Sequence, residues 1–184
     1  MVLIETAKYV SIKRISKLGA LGEDLADEWL SSLGCSCART PRNYPFADMI
    51  GAWNGKKYFI GVKARNEMQM GGHDYNESYN IVKISDPKRR VLEDQGRTEV
   101  DITRMLWEEV RSLAAKHDAT PAWVTVSVLP KKGIYSAYFG EVPDNYPNRS
   151  IRMTLDARRN YSPRIENVRD ARITPDLLNT AHGQ

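Results

Sequence analysis

Leu18, Leu21, Leu25, Trp29 and Leu33 recur at steps of three and four residues. That spacing lines them along one stripe of an amphipathic helix and predicts a helix over residues 16–33, with Gly34 as its terminator. A short strand is expected over 36–40, and a connection carrying two prolines, Pro41 and Pro45, follows it. Residues 47–53 and 56–64 then alternate around Asn54-Gly55, the strongest local signal for a two-residue hairpin turn. Residues 66–80 lack periodicity and read as a long loop, with one more short strand over 79–84 and a brief helix opened by Asp86-Pro87. Ile102, Met105, Leu106, Val110 and Leu113 form a second apolar stripe, predicting a helix over 99–117 with Thr98 as N-cap. After Pro121, Val124, Val126 and Val128 alternate with Thr125 and Ser127, the pattern of a half-buried strand over 123–129. A turn at 130–133 leads into a further strand over 134–141, and one more is expected over 150–155.

The hairpin turn also predicts a register. With Trp53 opposite Lys56, stepping outward pairs Asp48 with Gly61, and Lys63 lies two residues on, on the same face. An acid and an amine so placed suit one kind of chemistry: the carboxylate holds a divalent cation while the ammonium steadies an anionic phosphate beside it.

Composition narrows the class. The chain has 184 residues, 41% of them hydrophobic, enough for one core. No apolar run approaches the roughly 20 residues of a membrane span. Residues 1–10 are broken by Glu5 and Lys8 and lack a signal-peptide core, so a cytoplasmic protein is expected. Cys35 and Cys37 are expected to face away from one another as reduced, structural thiols, and the three histidines show no zinc-ligand spacing. The net charge of +4 and pI near 9.0 fit a nucleic-acid partner, as they fit many other proteins. Basic residues gather at 88–90, at 131–132 and through the stretch from Arg149 to Arg172.

Phe46-Ala47-Asp48 followed by Phe59-Ile60-Gly61-Val62-Lys63-Ala64-Arg65 resembles the PD-(D/E)xK nuclease superfamily, particularly its Holliday-junction-resolvase-like and restriction-endonuclease-like members. The resemblance implies an α/β fold with a restriction-endonuclease-like αβββαβ core, a mixed central sheet flanked by helices. The order read from periodicity agrees with it over about 16–141. A nuclease-like domain over 1–142 and a basic C-terminal extension over 143–184 follow. Asp48 matches the first acid and Lys63 the lysine. Position 61, where the family carries Glu or Asp, is Gly.

The implied activity is hydrolysis of DNA phosphodiester bonds with Mg²⁺ or Mn²⁺. Asp48 would supply one ligand oxygen and the Val62 carbonyl another. Glu23, in a Gly19-x-x-Gly22-Glu23 element like that of the resolvase-like branch, is one replacement for the missing acid, and lies at the flank of the apolar stripe. Glu67, Asp74 and Glu77, on the loop after the lysine, are others. Lys63 and Arg65 would meet phosphate. Tyr75 and Tyr79 could stack on unpaired bases, whereas Trp29 and Trp107 belong to the core or an interface. A homodimer would suit a two-fold DNA substrate.

Each residue also has a plainer reading. An Asp can open a strand, a Lys can shield an edge, and a strand Gly can mark a bulge or a close backbone approach. The alternative function is a nuclease-fold module that binds DNA or protein without cleaving. Glu and Gly codons also differ by one nucleotide, so the glycine could be a recent substitution. Cleavage gained by Gly61→Glu would mark a disabled site in an intact frame.

Overall fold

The computed structural model describes residues 15–66, 78–129, 132–152 and 166–174. The protein is mixed α/β. Helix α1 (Ile15–Ser32) leads into β1 (Ser36–Arg39) and the hairpin β2 (Met49–Trp53) and β3 (Lys56–Asn66). After β4 (Ser78–Asn80) come α2 (Asp86–Asp94), α3 (Glu99–Ala115), β5 (Thr120–Leu129), β6 (Ile134–Glu141), β7 (Ser150–Arg152) and β8 (Glu166–Arg172). Helix, three strands, helix and strand thus follow the expected order, with β4 and α2 inserted. No helix among the described residues is long and apolar enough to cross a membrane.

Six strands form one sheet in the order β1-β2-β3-β5-β6-β8. β3 and β5 run parallel, and every other neighbouring pair is antiparallel. A parallel pair needs a long crossover, and the segment carrying α2 and α3 provides it. Helix α1 sets Leu18, Leu21, Leu25, Trp29 and Leu30 against Met49, Ile60, Val62, Val124, Val126 and Val128 on one face. On the other, α3 packs Ile102, Leu106, Trp107 and Val110 against Phe59, Trp123 and Tyr138. The Thr98 side chain accepts the Asp101 N–H while the Asp101 side chain accepts that of Thr98, so the start of α3 is capped in both directions.

Three strands differ from expectation for identifiable reasons. β5 is buried on both faces, because its polar side carries Thr125 and Ser127 beneath a second layer. Tyr79 of β4 bonds the Ser127 hydroxyl at 2.6 Å, which satisfies that buried hydroxyl, whereas the Thr125 hydroxyl finds no partner among the described residues. β7 pairs with β4 in a separate two-stranded sheet, so the short strand after β3 is completed from beyond residue 143. β8 was not legible at all. Its ladder with β6 shifts register between Tyr135 and Ala137, and Asp170 has a φ of 55°. An extra residue there brings Val168 and Ala171, three apart, onto the same core cluster and erases the period of two.

The cysteines also differ from expectation. A strand repeats every two residues, so Cys35 and Cys37 share a side, with their sulfurs 3.4 Å apart. Both are free thiols, and burial raises both, Cys37 to about 12.

Candidate active site

The Asn54-Gly55 turn has φ values of 51° and 75°, as a type I′ turn requires, and it sets the predicted register from Trp53 opposite Lys56 to Met49 opposite Ile60. There the regular ladder stops, one pair short of expectation. The Asp48 N–H donates to the Ile60 carbonyl at 2.9 Å, although Ile60 is the partner of Met49. Two residues therefore oppose one, the arrangement of a β-bulge, which re-aims the side chain of the extra residue. Asp48 turns towards the free edge of β3. Its Oδ2 accepts the Val62 N–H at 2.6 Å and lies 3.9 Å from the Lys63 Nζ.

The segment before Asp48 is pinned on both sides. Tyr44 bonds His117 at 2.7 Å, and the His117 ring stacks on Phe59. The Ala47 carbonyl accepts the Thr40 hydroxyl at 2.7 Å, and Ala47 itself is buried. Phe46 is held at a φ of 65°, a left-handed conformation that a bulky residue adopts only when its surroundings impose it. Its carbonyl lies over Gly61. A Cβ at position 61 would stand 2.9 Å from that oxygen, closer than side chains tolerate. Backbone thus fills the space in which any side chain at position 61 would begin.

Glu23 reaches the same edge from α1. A Cβ at Gly22 would meet the Ala64 Cβ at 2.4 Å, so this glycine lets α1 settle directly on β3 just beyond Lys63. The Glu23 carboxyl is raised above 4.5, first by burial and next by the charge of Asp48, with Arg39 and Lys63 acting the other way. Arg39 stands 4.0 Å from Glu23, 3.9 Å from Asp27 and in a hydrogen bond with Asp24. The pattern could have disclosed this arginine, since three acids on the exposed side of α1 face the strand that carries it.

Val62 buries its side chain in the core on the α1 side. Its carbonyl shares the edge of its N–H, because both groups of one extended residue point to the same neighbour. Arg65 lies on the face of Gly61 and Lys63, beside Ser127 in register and close enough to Tyr79 to lower its hydroxyl against the larger effect of burial. Tyr79 is itself buried in the core on the α3 side, bonded to Ser127. Trp29 and Trp107 are core residues. Glu67, Asp74, Tyr75 and Glu77 lie outside the described residues.

No family model, curated protein or solved structure matches this chain. The site is therefore read from its own chemistry. Among the described residues no three His, Cys, Asp or Glu side chains form a ready metal cage. Burial and then the Asp48 charge nonetheless raise the Glu23 carboxyl, and the groups around it are hard oxygens: two carboxylates and the edge carbonyl of Val62. Mg²⁺ binds through one or two carboxylates and keeps several waters, so this donor set fits it.

The sign of the pH dependence follows. A raised carboxyl is protonated to a higher pH in the folded protein than in the unfolded chain, so ionising Glu23 lowers stability as pH rises through that window. A cation beside Glu23 would favour the ionised form. Were Mg²⁺ to bind there, its affinity would fall as pH drops through a midpoint above 4.5. Calorimetric titration across pH 4 to 8 measures it, and Glu23→Gln is expected to flatten the profile.

Proposed function

We propose that this protein is a metal-dependent endonuclease of the PD-(D/E)xK type, cutting DNA phosphodiester bonds at the edge of β3. The observation that carries the reading is the meeting of Asp48 and Lys63, 3.9 Å apart, at the end of the hairpin, where a bulge aims Asp48 past the last regular pair of the ladder. The element order from α1 to β5, with the parallel β3–β5 pair and one helix on each face, supports a restriction-endonuclease-like core.

Asp48 and Glu23 would hold Mg²⁺ or Mn²⁺ with the Val62 carbonyl. The ion supplies a water of lowered pKa and neutralises charge gathering on the phosphate. The protein's own groups do the remaining work. Lys63 places an ammonium where a non-bridging phosphate oxygen needs a counter-charge, a contribution that grows as water leaves the site. The bulge at Asp48 and the bond from Val62 N–H hold the carboxylate in one orientation, so little reorganisation is needed when substrate arrives. Arg39 braces Glu23, and Arg65 would extend the cationic surface along β3 for the DNA backbone.

The test is nicking of supercoiled, branched and single-stranded DNA by the purified protein. Activity is expected with Mg²⁺ or Mn²⁺, and chelation is expected to remove it and added metal to restore it. The second reading, a module that binds DNA without cutting it, is favoured by Gly61 alone. It predicts retention of DNA that weakens with salt and ignores chelators.

A further inference from the structure

We propose that the main-chain carbonyl of Phe46 serves as a ligand oxygen for the divalent cation, in the place a carboxylate at position 61 would otherwise occupy. The inference rests on the nuclease reading and deepens it. An Asp or Glu side chain carries its oxygens about 2.4–3.7 Å from its own Cβ, by ordinary bond lengths and staggered rotamers. The Phe46 oxygen lies 2.9 Å from the point where a Cβ at 61 would sit, inside that range. It is thus a hard oxygen at the radius at which the absent acid would present one.

Three further features agree. Phe46 O and Asp48 Oδ2 bracket a single peptide unit, the first over Gly61 and the second on the Val62 N–H. No donor among the described residues bonds the Phe46 carbonyl, whereas the neighbouring Pro45 and Ala47 carbonyls accept the Ala47 N–H and the Thr40 hydroxyl. Phe46 also keeps a φ of 65°, a conformation that a bulky residue holds only where its surroundings over-determine it. Backbone carbonyls are common ligands of Ca²⁺ and offer Mg²⁺ the same kind of hard oxygen, and exchanging a carboxylate for a carbonyl removes one negative charge from the set. A weaker site, with a larger share of its coordination left to water and substrate phosphate, is the consequence.

The sequence offers a direct probe. Phe46-Ala47 is the only Phe-Ala step in the chain, so protein labelled with carbonyl-¹³C phenylalanine and ¹⁵N alanine gives one carbonyl–amide correlation, that of the Phe46 carbonyl. Titration with MgCl₂ alone is expected to move this carbon downfield, saturating with the Mg²⁺ binding seen by calorimetry on the same sample. The shift should vanish in Asp48→Asn. Mg²⁺ binding that leaves the carbon in place overturns the carbonyl ligand while the nuclease reading stands. Absence of both Mg²⁺ binding and nicking overturns both.

Discussion

Asp48→Asn is expected to reduce Mg²⁺-dependent nicking by at least about 100-fold while leaving the denaturation midpoint almost unchanged. The two effects separate because the Asp48 carboxylate has two jobs at one oxygen. Oδ2 accepts the Val62 N–H and also faces Lys63. An asparagine oxygen still accepts the N–H, so the bulge and the start of β2 keep their bond. On the proposed nuclease reading, the charge that would hold the cation is gone, and loss of one preorganised electrostatic group at a reacting centre typically removes ~10²–10³ in rate. Asp48→Ala removes both functions. It should be equally inactive and less stable, by about 1 kcal/mol, since the freed N–H exchanges a charged acceptor for water. Lys63→Met should match Asp48→Asn in activity. Nicking that survives in both Asp48→Asn and Lys63→Met would take the pair out of the mechanism.

The same bulge explains how much of the molecule could be read in advance. Both long helices follow from apolar stripes, and the hairpin from Asn54-Gly55, because each is encoded within a few adjacent residues. β5 was recognised but misjudged. Its Thr125 and Ser127 look like a solvent face, and only the distant Tyr79 turns that face into interior. β8 was missed because its bulge breaks alternation. At the site, the neighbourhood of Asp48 and Lys63 follows from the turn, yet the pairing of Asp48 with Gly61 does not survive. Nothing local to Asp48 announces that Phe46 will turn left-handed and lie across the neighbouring strand. That conformation is set by tertiary anchors, Tyr44 on His117 and Thr40 on Ala47, 73 and seven residues apart in the chain. The glycine at 61 was the one visible trace, since a strand glycine marks close backbone approach as readily as a lost side chain.

Gly61→Glu is accordingly expected to weaken the fold and not to create a better nuclease. The Cβ alone meets the Phe46 carbonyl at 2.9 Å, and the atom it meets is backbone held at both ends, not a side chain free to swing away. Overfilling of this kind costs ~1–3 kcal/mol, and a carboxylate placed in the buried surroundings of position 61 adds a desolvation cost. Gly61→Ala separates the terms: it should carry most of the loss in denaturation midpoint, with the remainder appearing only in Glu. Cleavage should fall in both. The displaced carbonyl belongs to the residue two before Asp48, so pushing it aside moves the acid on which the site depends. A Gly61→Glu protein that is as stable as its parent and cuts DNA faster would mean that the loop before Asp48 yields freely. The close approach of Phe46 would then be incidental to the glycine, and position 61 would be a true vacancy in a site built for a second acid.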